Sequence, residues 1–152
     1  MSTKVVSDVQ KIECTIEKVY NFLADFNRIG TIINMARQMG GEQMSSISDK
    51  IEDIRTTEDS CSFIIKGVGE MGMKIVERES PKLIKFGGDG RVPFDFSMWI
   101  QLLENGPYDT RMRITFEADL NVVMKMMLKG KLEKGINQLA EGLAKIPYGL
   151  LP

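Results

Sequence analysis

The sequence predicts an α+β fold: a curved antiparallel sheet of about seven strands wrapped on one long C-terminal helix, with two short helices after the first strand. Three observations carry this. Over residues 121–146, Leu128, Leu132, Ile136, Leu139, Leu143 and Ile146 step by four, four, three, four and three, which keeps them on one helical face. Between residues 47 and 118 apolar and polar residues alternate, the period of half-buried strands. The breaks between these segments are short and rich in Gly, Pro and Asn, so neighbouring strands are expected to pair antiparallel.

Residues 4–12, KVVSDVQKI, read as the first strand. Thr15 offers an N-cap, with Glu17 in the first turn of a helix that carries Ile16, Val19, Leu23 and Phe26 at helical spacing, and Tyr20 and Phe22 alongside. Asp25-Phe26-Asn27 suggests a break, followed by a second short helix through Ile29, Ile32 and Ile33. Residues 38–46 read as a loop.

A strand is expected from Ile47 to Thr57, although Ile51 and Ile54 are out of phase and imply a bulge. Cys61, Phe63 and Ile65 alternate with Ser62, Ile64 and Lys66, and Gly69-Glu70 reads as the next turn. Met71, Met73 and Ile75 then face away from Lys74 and Arg78, and Ser80-Pro81 separates them from a strand over Leu83 to Phe86. The longest inward ladder is Phe94, Phe96, Met98, Ile100 and Leu102, opposite Ser97, Trp99 and Gln101. Asn105-Gly106-Pro107 turns the chain into Met112, Ile114, Phe116 and Ala118. Asn121 caps the long helix and Pro147 ends it, a span of about 37 Å at 1.5 Å per residue.

At 152 residues the chain is expected to form one domain, 1–152, and to bury roughly 70% of its unfolded surface. The net charge of −1, from 20 basic and 21 acidic residues, argues against nucleic acid as a partner. A local exception is Lys125, Lys129, Lys131 and Lys134 on the long helix, read as a solvated face or, less simply, as a contact for anionic head groups. No apolar run reaches signal-peptide or transmembrane length, so a cytoplasmic location without stable membrane insertion is expected. In that setting Cys14 and Cys61 read as buried small hydrophobes. The absence of histidine removes Ser–His and Cys–His nucleophiles and imidazole-bound zinc. No metal and no cofactor is expected, and any catalysis must use carboxylates, Lys, Tyr or bound water.

Three stretches, IEKVYNFLADFNRI (16–29), IVERESPKLIKF (75–86) and PFDFSMWIQL (93–102), with ADLNVVMKMM (118–127) leading into the long helix, resemble the START-like or SRPBCC superfamily. This is the helix-grip group that includes the birch-pollen allergen and the polyketide cyclase/dehydrases. The resemblance spans nearly the whole chain and rests on packing patterns and element order. It implies a cavity between sheet and helix that takes lipids, sterols, polyketides or other apolar molecules. Members include carriers, hormone receptors, cyclases, oxygenase domains and chaperone activators, so fold leaves function open. The oxygenase branch needs histidine ligands, which this chain lacks.

The inward phases nominate a ligand-binding set: Phe63, Ile65, Met73, Ile75, Phe86, Phe96, Met98, Met112, Ile114, Phe116 and Met127. Methionines suit pockets that adapt to varied apolar shapes, and they suit ordinary core filling equally. Glu77 shares the phase of Met71, Met73 and Ile75, so its carboxylate would point inward, where burial raises a pKa; pairing with a basic neighbour at the sheet's rim is the blander reading. Tyr20 is a candidate hydrogen-bond donor near the cavity mouth, or a packing aromatic. Gly135 and Gly142, seven apart, suggest close approach of helix to sheet, and Gly130 a kink. Trp99 falls on the outer face, where the apolar tail after Pro147 could cover it or a protein partner could dock.

Three functions follow. The first is non-catalytic binding of a small apolar ligand in the cavity. The alternatives are a polyketide cyclase/dehydratase with Glu77 and Tyr20 as its acid–base pair, and a protein-interaction module with a vestigial cavity.

Overall fold

The structure is a computed structural model that describes residues 2–31, 51–65, 69–89 and 95–150. Its strands are β1 (Ser2–Val6), β2 (Gln10–Ile12), β3 (Ile51–Thr56), β4 (Ser60–Ile65), β5 (Gly69–Glu79), β6 (Leu83–Gly88), β7 (Phe96–Gly106) and β8 (Asp109–Asp119). They form an eight-stranded sheet in the order β1-β8-β7-β6-β5-β4-β3, with β2 also paired to β8. Every pairing is antiparallel. The predicted first strand is thus two strands, parted at residues 7–9 and both paired to β8. Ser7 holds that break in place, because its amide donates to the Ile114 carbonyl and its Oγ accepts from the Ile114 amide.

Helix α1 (Ile16–Leu23) starts where Thr15 Oγ1 accepts from the Lys18 amide, and Glu17 sits in its first turn. Asp25 breaks the helix, and residues 26–31 form a second helical stretch, α2. Ile32, Ile33 and the expected loop at 38–46 lie outside the described residues, as does Phe94. The break is sewn to the β3–β4 turn: the Phe26 amide donates to the Glu58 carbonyl, and Thr56 Oγ1 donates to Asn27 Oδ1.

The bulge expected in β3 falls between Glu52 and Arg55, and Asp53 adopts a φ of 52° there. Gly69-Glu70 is not a turn. Both residues open β5, with Gly69 opposite Ile65 and Glu70 opposite Ile64. At the other end of the sheet, β7 runs through Gly106 and the turn occupies residues 107–108.

The long helix, α3 (Val122–Ala144), is capped by Asn121, whose Oδ1 accepts from the Met124 amide at 2.8 Å. It packs chiefly on β1, β2 and β8. Ile136 and Ala140 are buried against them, with Leu132, Leu139, Leu143 and Ile146 partly buried. The first two turns carry no buried side chain, and Met126 and Met127 are exposed. Among the described residues, the segment after Pro147 does not cover Trp99. Instead Tyr148 enters the core beside α1, its ring edge-on to Phe22 at 5.4 Å, its hydroxyl donating to the Leu143 carbonyl and Lys18 Nζ donating to the Gly149 carbonyl.

Candidate functional site

The concave face of the sheet is read most simply in rows across the strands. One row runs Arg78, Ile84, Ile100, Ile114. Its three isoleucines are sealed, at 0–2% exposure, on the side where α1 packs. The next runs Ile75, Phe86, Met98, Phe116, Val5, and is buried except at Phe116. Beyond it lie Cys61, Met73 and Gly88, then Phe96, Ala118 and Thr3, and finally Phe63 opposite Met71. In these outer rows Phe63, Met71, Met73 and Phe96 are only half-buried. The face is therefore a closed core at the α1 end and an apolar surface, still partly reachable by solvent, at the other.

Phe96 and Phe116 stack at that open end, with ring centroids 5.6 Å apart and planes 19° from parallel. Gly88 makes room for the Phe96 ring, since a Cβ there would lie 3.1 Å from it. In the same row the Thr3 hydroxyl is buried with no hydrogen-bond partner among the described residues. A buried donor without a partner costs free energy that a ligand's acceptor can recover. Cys61 Sγ is half-buried in this region, and desolvation pushes its thiol up to about 11. Cys14 is buried at 5% exposure and, like Cys61, free of any disulfide.

Of the sequence-derived ligand set, Phe63, Met73, Phe96 and Phe116 lie on the half-buried outer part of the face, where Phe96 and Phe116 are in ring contact. Ile75, Phe86, Met98, Met112 and Ile114 are core residues, at 8%, 1%, 6%, 0% and 0% exposure. The Ile65 side chain lies outside the described residues. Met127 is the miss: it is 67% exposed on the back of α3, away from the sheet. The run from Val122 to Leu128 is apolar on all sides apart from Lys125, so its sequence does not say which side packs.

The two acid–base candidates are separated by the sheet. A bulge between Ile75 and Glu77 shifts the strand by one residue, so that Glu77 pairs with Lys85 and Arg78 with Ile84. Glu77 is exposed on the outer face, beside Lys85, whose Nζ lies 5.3 Å from the Trp99 ring centroid. The inward carboxylate expected there is not present; Arg78 holds the inward position. Its Nε and Nη2 donate to the Ala24 carbonyl at 3.3 and 2.9 Å, and Nη2 also donates to Asp59 Oδ1 at 2.6 Å. A cation at the end of α1 meets the negative pole of that helix, which has no basic residue in its own last turn. Tyr20 is a buried core aromatic whose phenol is pushed up by desolvation, with Arg78 pulling it back.

A further expectation is corrected. Side-chain space is open at Gly130, Gly135 and Gly142, where an added Cβ would meet nothing within 4 Å, so these glycines do not mediate close packing on the sheet. Trp99 lies on the outer face as expected and lines an open depression of about 470 Å³ with Lys4, Val6, Gln101, Arg113, Thr115 and Glu117. Among the described residues, no three His, Cys, Asp or Glu side chains lie close enough to hold a metal ion. No described helix is long and apolar enough to cross a membrane.

A curved antiparallel sheet, two short helices after the first strands and a long C-terminal helix laid on the concave side define the helix-grip fold of START-like domains. Solved structures bear this out. Norcoclaurine synthase from Thalictrum flavum, in complex with dopamine and hydroxybenzaldehyde, superimposes with a TM-score of 0.67 at 8% identity, over 100% of this chain and 90% of that one. A conserved protein from Geobacillus kaustophilus gives 0.61 at 15% identity, over 95% and 93% of the two chains. A START superfamily protein from Mycobacterium smegmatis gives 0.58 at 9% identity, over 94% and 98%. No family model and no curated protein sequence matches the chain. At these identities the likeness carries the fold and not the activity.

Proposed function

We propose that this protein binds a small apolar molecule, such as a lipid, sterol or polyketide-like compound, on the open end of its concave face, without transforming it. The observation that carries the reading is the gradient along that face. A side chain row sealed at 0–2% exposure gives way, within two rows, to half-buried Met73, Phe96 and Phe116. Apolar side chains left half-wet on a rigid sheet gain about 25 cal/mol for each Å² that a ligand covers. The mixture of a stacked Phe pair, flexible methionines and one orphan hydroxyl is that of a small-molecule site, mostly apolar with few polar anchors. Glu77 and Tyr20 on opposite sides of the sheet favour binding over acid–base chemistry.

The test is displacement of a fluorescent fatty acid, with Met73→Trp as the filling variant. Met73 is half-buried at the open end, so the indole takes ligand space with modest strain. Affinity is expected to fall at least tenfold with the fold intact. Unchanged affinity would place the ligand elsewhere. Met98→Trp is the poorer probe, because Met98 is 6% exposed and overpacking a core costs about 1–3 kcal/mol.

A further inference from the structure

The first two turns of α3 carry an exposed apolar row. Val122, Val123, Met126 and Met127 are 71%, 65%, 83% and 67% exposed. At ~100° per residue these four lie within an arc of ~140°, opposite the half-buried Met124 and Leu128. Large apolar side chains gathered on an outer face mark a contact surface. Lysines border this one. At the same ~100° step Lys129 falls on one flank of the row and Lys131 on the other, Lys134 falls within the arc further along the helix, and Lys125 lies beyond Lys129. Between Leu120 and Gly135 the chain has four lysines and a single acid, Glu133, although its net charge is −1. Asp119, at the end of β8, is the next acid on the N-terminal side.

We infer that this face docks on the surface of an anionic phospholipid bilayer, with the Val and Met side chains entering the head-group boundary and the lysines reaching anionic head groups on either side. Lysine stems lie along apolar surface while their ammonium groups stay in the polar layer, which suits lysines that border an apolar row. The charge pattern selects this occupant over a second copy of the chain, since a twofold interface would set lysine against lysine. The inference is independent of the ligand reading, because it rests on exposed side chains of α3 that the concave site does not use.

The test is co-sedimentation with vesicles of phosphatidylcholine alone and of phosphatidylcholine mixed with phosphatidylserine. Binding is expected to the mixed vesicles only, and to weaken as salt is raised. Met126→Ser with Met127→Ser is expected to weaken it at least tenfold. Replacing Lys129, Lys131 and Lys134 by Gln removes about fivefold per lysine, on the order of 100-fold in total. The affected side chains are exposed, so circular dichroism should be unchanged. Equal binding to neutral vesicles, no binding to mixed vesicles at low salt, or no effect of either variant would overturn the inference. A concentration-dependent dimer abolished by Met126→Ser would assign the face to a second copy instead. Loss of fatty-acid displacement without loss of vesicle binding would count against the concave site alone.

Discussion

Replacing Arg78 by Met tests whether the bulge in β5 turns that residue inward. In the structure the guanidinium supplies two hydrogen bonds to the Ala24 carbonyl, at 3.3 and 2.9 Å, and Ala24 is 8% exposed. Leaving such a carbonyl short of its donors costs about 1–3 kcal/mol. The partner Asp59 has a side chain 66% exposed, so it rehydrates and the lost ion pair adds at most about 1 kcal/mol. A loss of about 2 kcal/mol is expected, equivalent to about 4–8 °C in Tm for a chain of this size. Glu77→Gln, one residue away but outward, should stay within about 0.5 kcal/mol of the parent. Urea unfolding of the two variants measures both. Were Arg78→Met neutral, or Glu77→Gln the more damaging, the strand would have the unbulged phase and the description of this face would be wrong.

Other changes probe other parts of the account. Gly135→Ala fills open space in the middle of α3 and should stabilise by about 1 kcal/mol in urea unfolding; destabilisation would mean that something approaches the helix there. Thr3→Val removes an orphan hydroxyl, so the empty protein should be no less stable, while affinity for a hydrogen-bonding apolar ligand falls about fivefold or more by calorimetry. Cys61 should alkylate slowly at pH 8, its rate rising about tenfold per pH unit toward about 11; a plateau near pH 9 would show a solvated thiol. The direction of that shift also fixes a stability trend. The buried thiol favours the folded state below its ordinary value of 9.0, and this contribution fades as the pH climbs toward about 11.

Features set by neighbouring residues were legible in the sequence. Both helix caps, Thr15 and Asn121, depend on one side-chain oxygen and an amide three residues on, and both are where the sequence puts them. The β3 bulge showed as a phase slip because Ile51 and Ile54 cannot both face the core of a regular strand. The β5 bulge left no such trace. Val76, Glu77 and Arg78 fit either phase, and only the pairing of Glu77 with Lys85 and Arg78 with Ile84 decides between them. That single slip puts a guanidinium, at the partly exposed rim of the sheet, in the inward phase where a carboxylate was expected. Met127 and Tyr148 were misplaced for a related reason. A helix turn apolar on all sides does not declare its buried face, and the seat of Tyr148 beside Phe22 joins residues more than a hundred positions apart. For the same reason the ladders named the concave face correctly but not its gradient, which depends on where α1 and α3 come to rest.

The central claim is that the concave face holds an apolar molecule. Native mass spectrometry of the freshly purified protein, followed by solvent extraction of whatever mass accompanies it, tests this most directly. The account predicts a discrete adduct that partitions into organic solvent and is lost or diminished in Met73→Trp. A protein that is repeatedly empty, and that takes up neither fatty-acid nor sterol probes, would contradict it.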